Sequence, residues 1–352
     1  MIGASIAFHL GEAGVEDVLL LERRELGGGS TSKGAGGVRA MFSDELNVRI
    51  ALRSLEAWAA FGTRPGWEID LNQVGYLFLL SSEDDVRHFE HSVELQNRLG
   101  VPSRTVSVDE VHELSPLAGI GGVLAGAFCP LAGHATPEGA VQGYASAARA
   151  LGVRIETHST VTGLQPGAVV TDAGSIETDC VVCAAGPWSR EIGAMADVEL
   201  AVQPEKRRIG FTGPLEIEGP VPMTIDFATG FYFHREGPGL LFGTNDVCDT
   251  QDEWLERAEP VLRQRAPILL DAPIAGGWWG DYEMTPDHNA LIGDASGSPG
   301  RFLYATGFSG HGFQQAPAVG EIVTDLYLGR EPFVDVTPLA ADRRERRERN
   351  VV

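Results

Sequence analysis

The chain has little cysteine, no long apolar run and no excess of positive charge. Each shortage excludes something. Only four cysteines occur in 352 residues: Cys129, Cys180, Cys183 and Cys248. A disulfide-stapled secreted scaffold is therefore excluded. Cys180 and Cys183 have C-x-x-C spacing, but they lie in an apolar run, Cys180-Val181-Val182-Cys183-Ala184-Ala185, that reads as a buried strand. Strand side chains alternate, so positions three apart face opposite ways and cannot share a metal or a redox bond. No second Cys/His pair stands at zinc spacing. Reduced, buried thiols in a cytoplasmic protein are expected. No stretch of about 18 apolar residues exists, so no transmembrane helix is expected. No basic region precedes an apolar stretch at the start, so no signal peptide is legible. Net charge is −22, which disfavours nucleic acid and anionic membranes as partners. The one basic cluster is Arg343-Arg344-Glu345-Arg346-Arg347-Glu348-Arg349, and its interleaved glutamates read as a frayed, salt-bridged helix end. No internal repeat is evident.

What is present is glycine, 44 residues of it, in a chain 43% hydrophobic and long enough for two domains. Met1-Ile2-Gly3-Ala4-Ser5-Ile6 reads as the second half of a G-x-G-x-x-G turn, with Gly3 as its last glycine. A helix, a break at Gly14, an apolar strand Val18-Leu19-Leu20-Leu21 and the acid Glu22 follow. An acid about 20 residues past the glycines is where such folds bind a ribose, so an adenine dinucleotide is implied. The first strand and first two glycines of that fingerprint are absent from this sequence. The sequence as written is therefore expected to fold poorly or bind its cofactor weakly, and a version extended upstream to do better. A long Gly/Ser/Thr loop covers residues 23–43, a length that usually marks function. Helices are expected over 44–61, 83–99, 137–151 and 316–328, and strands over 75–80, 153–156, 180–185 and 301–306. Residues 200–245 are strand-rich. Three segments could meet one dinucleotide: Gly3 to Glu22, Gly29-Ser30-Thr31, and Gly307-Phe308-Ser309-Gly310-His311-Gly312-Phe313-Gln314. Glycine turns at helix starts offer backbone N–H groups and a positive dipole end to anionic oxygens.

These segments, with Gly36-Gly37-Val38-Arg39, Ala184-Ala185-Gly186-Pro187-Trp188 and Thr285-Pro286-Asp287, resemble the flavin-dependent amino-acid oxidoreductases of the D-amino-acid oxidase superfamily. The branch of sarcosine oxidase, dimethylglycine dehydrogenase and proline dehydrogenase β-subunit is the most similar, and the resemblance covers nearly the whole chain. It implies an α/β fold: a discontinuous Rossmann-like FAD-binding domain, its first strand missing here, plus an antiparallel-sheet substrate domain. The FAD-binding domain would take residues 1–72, 140–195 and 286–352, and the substrate domain 73–139 and 196–285. It implies FAD, with Gly3 and Glu22 serving pyrophosphate and adenosine ribose, and Ser30, Thr31 and Gly37 lining the path to the flavin. Val161 would meet adenine through its backbone. Gly186 and Trp188 would lie near the pyrophosphate or the adenosine part. Gly310, Gly312 and Phe313 would approach the flavin's pyrimidine edge, and Gly307 and Gln314 would also bind the cofactor. Arg39 matches a substrate-carboxylate arginine, with a salt bridge to Asp44 as the structural alternative. Tyr282 matches an active-site tyrosine, with a core aromatic beside Trp278 and Trp279 as the alternative. His311 is a candidate base, or serves the turn.

Departures from the pattern sharpen the expectation. Relatives tether flavin through a cysteine where this chain has Gly280, or through a histidine at or next to Lys33, so noncovalent FAD is expected. A carboxylate-binding lysine corresponds to Gln314, an oxygen-activating lysine to Leu241 and an active-site histidine to Asn245. The implied function is oxidation of the C–N bond of a small secondary or tertiary amino acid, such as sarcosine, dimethylglycine or proline. The loss of the lysine favours a dehydrogenase over an oxidase, with an electron-acceptor protein or partner subunit. A flavin-binding assembly factor or non-catalytic subunit, and a D-amino-acid or glycine oxidase, are the alternatives.

Overall fold

The computed structural model describes residues 1–295 and 300–351. In chain order the elements are α1 (Ile2–Glu12), β1 (Leu19–Leu21), β2 (Gly37–Val38), α2 (Glu45–Ala59), β3 (Tyr76–Leu80), α3 (Glu83–Arg98), β4 (Arg104–Val106), α4 (Val108–Leu114), β5 (Ala125–Cys129), β6 (Gly133–His134), α5 (Pro137–Ala150), β7 (Arg154–Glu156), β8 (Val161–Gln165), β9 (Ala168–Thr171), β10 (Gly174–Glu177), β11 (Cys180–Cys183), α6 (Ser189–Met195), β12 (Gln203–Thr212), β13 (Met223–Asp226), β14 (Phe231–Glu236), β15 (Gly239–Thr244), α7 (Gln251–Arg265), β16 (Ile274–Met284), β17 (Leu291–Ala295), β18 (Arg301–Thr306) and α8 (Gly312–Leu328).

Two kinds of sheet follow from two kinds of strand. The short apolar runs pair in parallel, β1 with β7 and β11 with β18, and β17 adds antiparallel to β18. Helices cover them, as parallel strands require: α1 packs between α5 and α8. The other sheet has eight strands in the order β16-β12-β15-β14-β13-β3-β5-β4, antiparallel except where β13 meets β3. Its alternation builds two cores. Tyr76, Phe78, Leu80, Met223 and Ile225 face one way, toward α2 and α5. Leu77, Leu79, Phe231, Phe233, Leu240 and Phe242 face the other, where α7 buries Trp254, Ala258 and Leu262. This mixed α/β architecture is the one expected.

The helices mark how the site is positioned. Asp44 caps α2 by accepting from the Leu46 N–H at 3.1 Å. Helix α8 starts at Gly312, four residues before the expected Ala316, because Pro317 does not break it. Around the proline, α2 supplies the missing partners. Trp58 Nε1 donates to the Gln314 carbonyl at 3.1 Å, and Ala318 N donates to Ser54 Oγ at 3.2 Å. The early start carries the amino end of α8 to the cavity described below.

The basic tail corrects an expectation. It is no helix end. Residues 344–349 run without regular structure, packed against the body, and Glu348 and Asn350 are fully buried. Arg343 pairs with buried Asp287 at 2.6 Å, and Arg346 pairs with Asp44. Asp44 is thus occupied by Arg346 and by its cap, not by Arg39.

Candidate active site

One cavity of about 870 Å³ runs from the start of α1 to the face of the large sheet. Its size suits a small-molecule or cofactor site. At one end Gly3 sits between two strands: a Cβ there would lie 3.2 Å from Leu20 and 3.6 Å from Ala184. Glu22 lines the cavity at the end of β1, its carboxylate accepting from the Arg24 N–H at 2.8 Å. The 23–36 loop then wraps the middle. Ser30 Oγ donates to the Asp281 carbonyl at 2.6 Å, and Trp278 Nε1 donates to the Lys33 carbonyl at 3.0 Å. These bonds fasten the loop to β16. Thr31 Oγ1 accepts from the Met1 nitrogen at 3.0 Å, fastening it to α1. Trp188 closes over Gly29, with the Arg23 guanidinium 3.7 Å above its ring.

The other end is aromatic. Tyr76, Tyr232 and Tyr282 line it from β3, β14 and β16, beside Met223 and Ile225. Burial raises the pKa of all three tyrosines, Tyr232 most, so each stays a neutral hydroxyl. Gly37 and Gly310 are where backbone must approach this wall. A Cβ at Gly37 would lie 2.8 Å from the Tyr76 hydroxyl, and one at Gly310, whose φ is +90°, would lie 2.6 Å from the Tyr282 ring.

The anticipated residues converge on this cavity with one exception. Gly3, Glu22, Ser30, Thr31, Gly37, Arg39, Val161, Gly186, Trp188, Tyr282, Gly310, His311, Gly312, Phe313 and Gln314 line it. Gly307 does not; it makes the turn at φ +70°, and its N–H donates to Glu283 at 2.9 Å. Leu241 and Asn245, matched above to a lysine and a histidine of the resembling family, lie apart from the cavity. Neither lines the cavity, so the apolar Leu241 says nothing of the charge around a reacting group.

Arg39 is fully buried and its guanidinium is engaged. Nη1 donates to the Met41 carbonyl and Nη2 to the Asn350 carbonyl, both at 2.7 Å; Nη2 also lies 3.5 Å from His311 Nε2. Its backbone N–H donates to Gln314 Oε1 at 3.1 Å. Burial first, and Arg39 second, depress the His311 pKa well below its ordinary value. His311 is therefore neutral.

Glu283 and Arg207 escaped the sequence reading, and Lys33 entered it only at the tether position. Glu283 has its carboxylate between Gly307 N–H and Thr306 Oγ1, both donating at 2.9 Å. Burial raises its pKa, and those hydrogen bonds pull the other way. Lys33 and Arg207 add cations to the aromatic end. Among the described residues no cluster of three or more His, Cys, Asp or Glu could hold a metal, and no helix is long and apolar enough to cross a membrane.

Comparison with known proteins agrees with this geometry. The family described as FAD dependent oxidoreductase (DAO) matches residues 1–326. The chain belongs to this family. It is 27% identical to the mitochondrial dimethylglycine dehydrogenase of Rattus norvegicus, across 97% of this chain and 43% of that protein. It is also 27% identical to the 4-methylaminobutanoate oxidase (formaldehyde-forming) of Paenarthrobacter nicotinovorans, across 97% of this chain and 44% of that one. The chain thus spans less than half the length of these curated relatives. Among solved structures, L-proline dehydrogenase from P. horikoshii superposes with a TM-score of 0.90 at 32% identity, covering 97% of this chain and 94% of that one. The residues at hand fit the family's cofactor. Three glycine-rich segments remote in sequence, around Gly3, Gly29 and Gly310, line one cavity, and glycine turns at helix starts are suited to the anionic pyrophosphate of a dinucleotide.

Proposed function

We propose that this chain oxidises the C–N bond of a small secondary or tertiary amino acid of the sarcosine, dimethylglycine or proline kind, as a dehydrogenase with noncovalently bound FAD. The observation that carries the reading is the continuity of the cavity: a dinucleotide cradle at Gly3, Gly29 and Gly186 opens directly onto an aromatic, largely apolar wall. When bound, FAD supplies the acceptor for a hydride equivalent. The electron pair of the C–H bond beside nitrogen leaves the substrate, a C=N bond forms, and water later adds to the imine. Tyr76, Tyr232 and Tyr282 would exclude water and orient the amine. Neutral His311 keeps its Nε2 lone pair toward Arg39, so it is poorly placed to take the ammonium proton; the amine would enter already neutral. The names of the dimethylglycine and proline dehydrogenases above support the dehydrogenase reading.

Noncovalent attachment has its own support. Gly280 has no side chain to form a thioether, and a Cβ there would lie 2.9 Å from the Lys33 Cβ, leaving no room for one. We also place the FAD-binding part at residues 1–72, 140–195 and 286–352, the substrate part at 73–139 and 196–285, and the protein in the cytoplasm. The test is anaerobic mixing of flavin-loaded protein with sarcosine, dimethylglycine and proline. Bleaching of the long-wavelength flavin band by at least one is expected. Full flavin occupancy with no bleaching by any of them would make the chain a binding subunit instead. Stopped-flow mixing of the reduced protein with air-saturated buffer then separates dehydrogenase from oxidase: reoxidation as fast as turnover would assign an oxidase.

A further inference from the structure

We infer that Arg207 binds the carboxylate of the substrate; this rests on the reading of the cavity as an amino-acid site. Arg207 lies on β12 directly opposite Gly280 of β16, and Glu205 lies opposite Tyr282. Residues two apart on a strand share a face, so Arg207, Gly280 and Tyr282 all present to the cavity. The guanidinium carbon is 5.6 Å from the centre of the Tyr282 ring. Nη2 is held by Glu205 at the rim. Nε and Nη1 are buried with no hydrogen-bond partner among the described residues. Buried N–H groups of a cation left without an acceptor are costly, and native structures seldom leave them so. A carboxylate entering the cavity supplies the acceptor, the counter-charge and the planar geometry a guanidinium matches.

Arg39 is less suited to the same task. Its Nη1 and Nη2 already donate to the carbonyls of Met41 and Asn350. It stands beside Tyr76 of β3, whereas Arg207 is on β12, with β15, β14 and β13 between them. Lys33 is the remaining cation near Gly280. Its stem packs over that glycine from the loop side, and it forms no ion pair among the described residues.

The test uses flavin-loaded protein and a probe that cannot be oxidised at nitrogen. Methoxyacetate replaces the amine of an N-methyl amino acid with an ether; methoxyacetamide is its neutral counterpart. Calorimetric titration of the parent should show preference for the acid. Arg207→Gln should lower affinity for methoxyacetate by about tenfold or more while leaving the amide and the FAD content unchanged. Arg207→Lys, which keeps the charge but loses the fork, should fall between and serves if the Gln variant does not fold. Lys33→Gln should keep most of the preference. The assignment is overturned if Arg207→Gln and Arg207→Lys both retain the parent's preference, if Lys33→Gln or Arg39→Gln abolishes it instead, or if the Arg207 variants lose FAD with the preference intact. Bleaching of the parent by N-methyl amino acids separates the outcomes. With bleaching and an unaltered Arg207→Gln, only this assignment falls; with neither bleaching nor acid preference in the parent, the amino-acid reading falls too.

Discussion

Glu283 is a carboxylate placed where a carboxylate is disfavoured. It lines the cavity between the β16 strand and the glycine turn after β18, accepting from Gly307 N–H and Thr306 Oγ1. Burial outweighs those bonds and raises its pKa above the ordinary 4.5. The sign follows. A carboxyl group whose folded pKa exceeds its unfolded pKa binds more protons folded than unfolded. Its contribution is fully present below the unfolded value and is lost as pH rises through the folded value. Glu283→Gln keeps an acceptor for both donors and removes the charge. The flavin-free variant should therefore gain stability relative to the parent as pH rises from the ordinary glutamate value toward neutrality. Paired melting curves across that range check it, and a constant difference between the two proteins would show that Glu283 does not titrate there. Arg39 yields a second prediction at this scale. Its removal strands the carbonyls of Met41 and Asn350 in the interior. Arg39→Leu should destabilise by about 2–5 kcal/mol, through unsatisfied buried acceptors. Denaturant unfolding measures this directly; a loss under about 0.5 kcal/mol, the scale of ordinary surface substitutions, would contradict it.

At the scale of elements, the tail is a strap. The Glu348 carboxylate accepts from Ser43 N–H at 2.8 Å, Ser43 Oγ at 2.6 Å, Asp44 N–H at 3.2 Å and Asn47 Nδ2 at 3.1 Å. It thus sits at the amino end of α2, where a negative charge is favoured by the helix dipole. Glu348→Ala leaves those donors unpaired in the interior and should cost about 1–3 kcal/mol. Glu345→Ala, on the exposed side of the same strap, should cost little, which makes the pair a control on the assay; equal effects would mean the strap is not docked through Glu348. The same element shows why part of the fold was legible in sequence and part was not. The α1–β1–Glu22 succession, the Cys180–Cys183 strand and the glycine turn after Thr306 carry local signals: period, glycine position and a terminal acid. The strap carries none. Its partners are remote in the chain, Asp287 by 56 residues from Arg343 and Ser43 by 305 from Glu348, and its alternating charges look like a solvated helix until Asp287, Asp44 and Ser43 are brought beside them. Arg207 and Glu283 were hidden for the same reason, because only the pairing of β12 with β16 shows what each one faces. The start of α8 was misplaced because Pro317 reads as a breaker, and only Trp58 and Ser54 of α2 reveal how its ladder is repaired.

At the scale of the whole molecule, the cavity is the junction of otherwise separate parts. The cradle end is walled by α1, β1 and β11, and the aromatic end by the eight-stranded sheet; the 23–36 loop bridges them through Ser30 and Lys33. A ligand that binds only the folded state stabilises by mass action, about 4 kcal/mol at a thousandfold excess over its dissociation constant. The structure determines where that stabilisation is felt. The 23–36 loop and the turn at 307–311 pair their backbone through short turns, such as Lys33 N–H to the Ser30 carbonyl and His311 N–H to the Phe308 carbonyl, rather than through a sheet or long helix, so they open most readily and gain most from a bound dinucleotide. The second core, between α7 and the far face of the sheet, has Trp254 and Phe242 stacked at 5.4 Å and a buried Arg265–Asp226 pair at 2.9 Å, none of it touching the cavity. Adding FAD to flavin-free protein should therefore slow amide hydrogen exchange strongly across residues 23–36 and 307–311, and leave exchange from locally opened states in α7 unchanged. Uniform protection throughout the chain would mean that the flavin-free protein opens as one unit and that the loop is not the weak element. Protection confined to α7 and the large sheet would place the dinucleotide elsewhere than in this cavity.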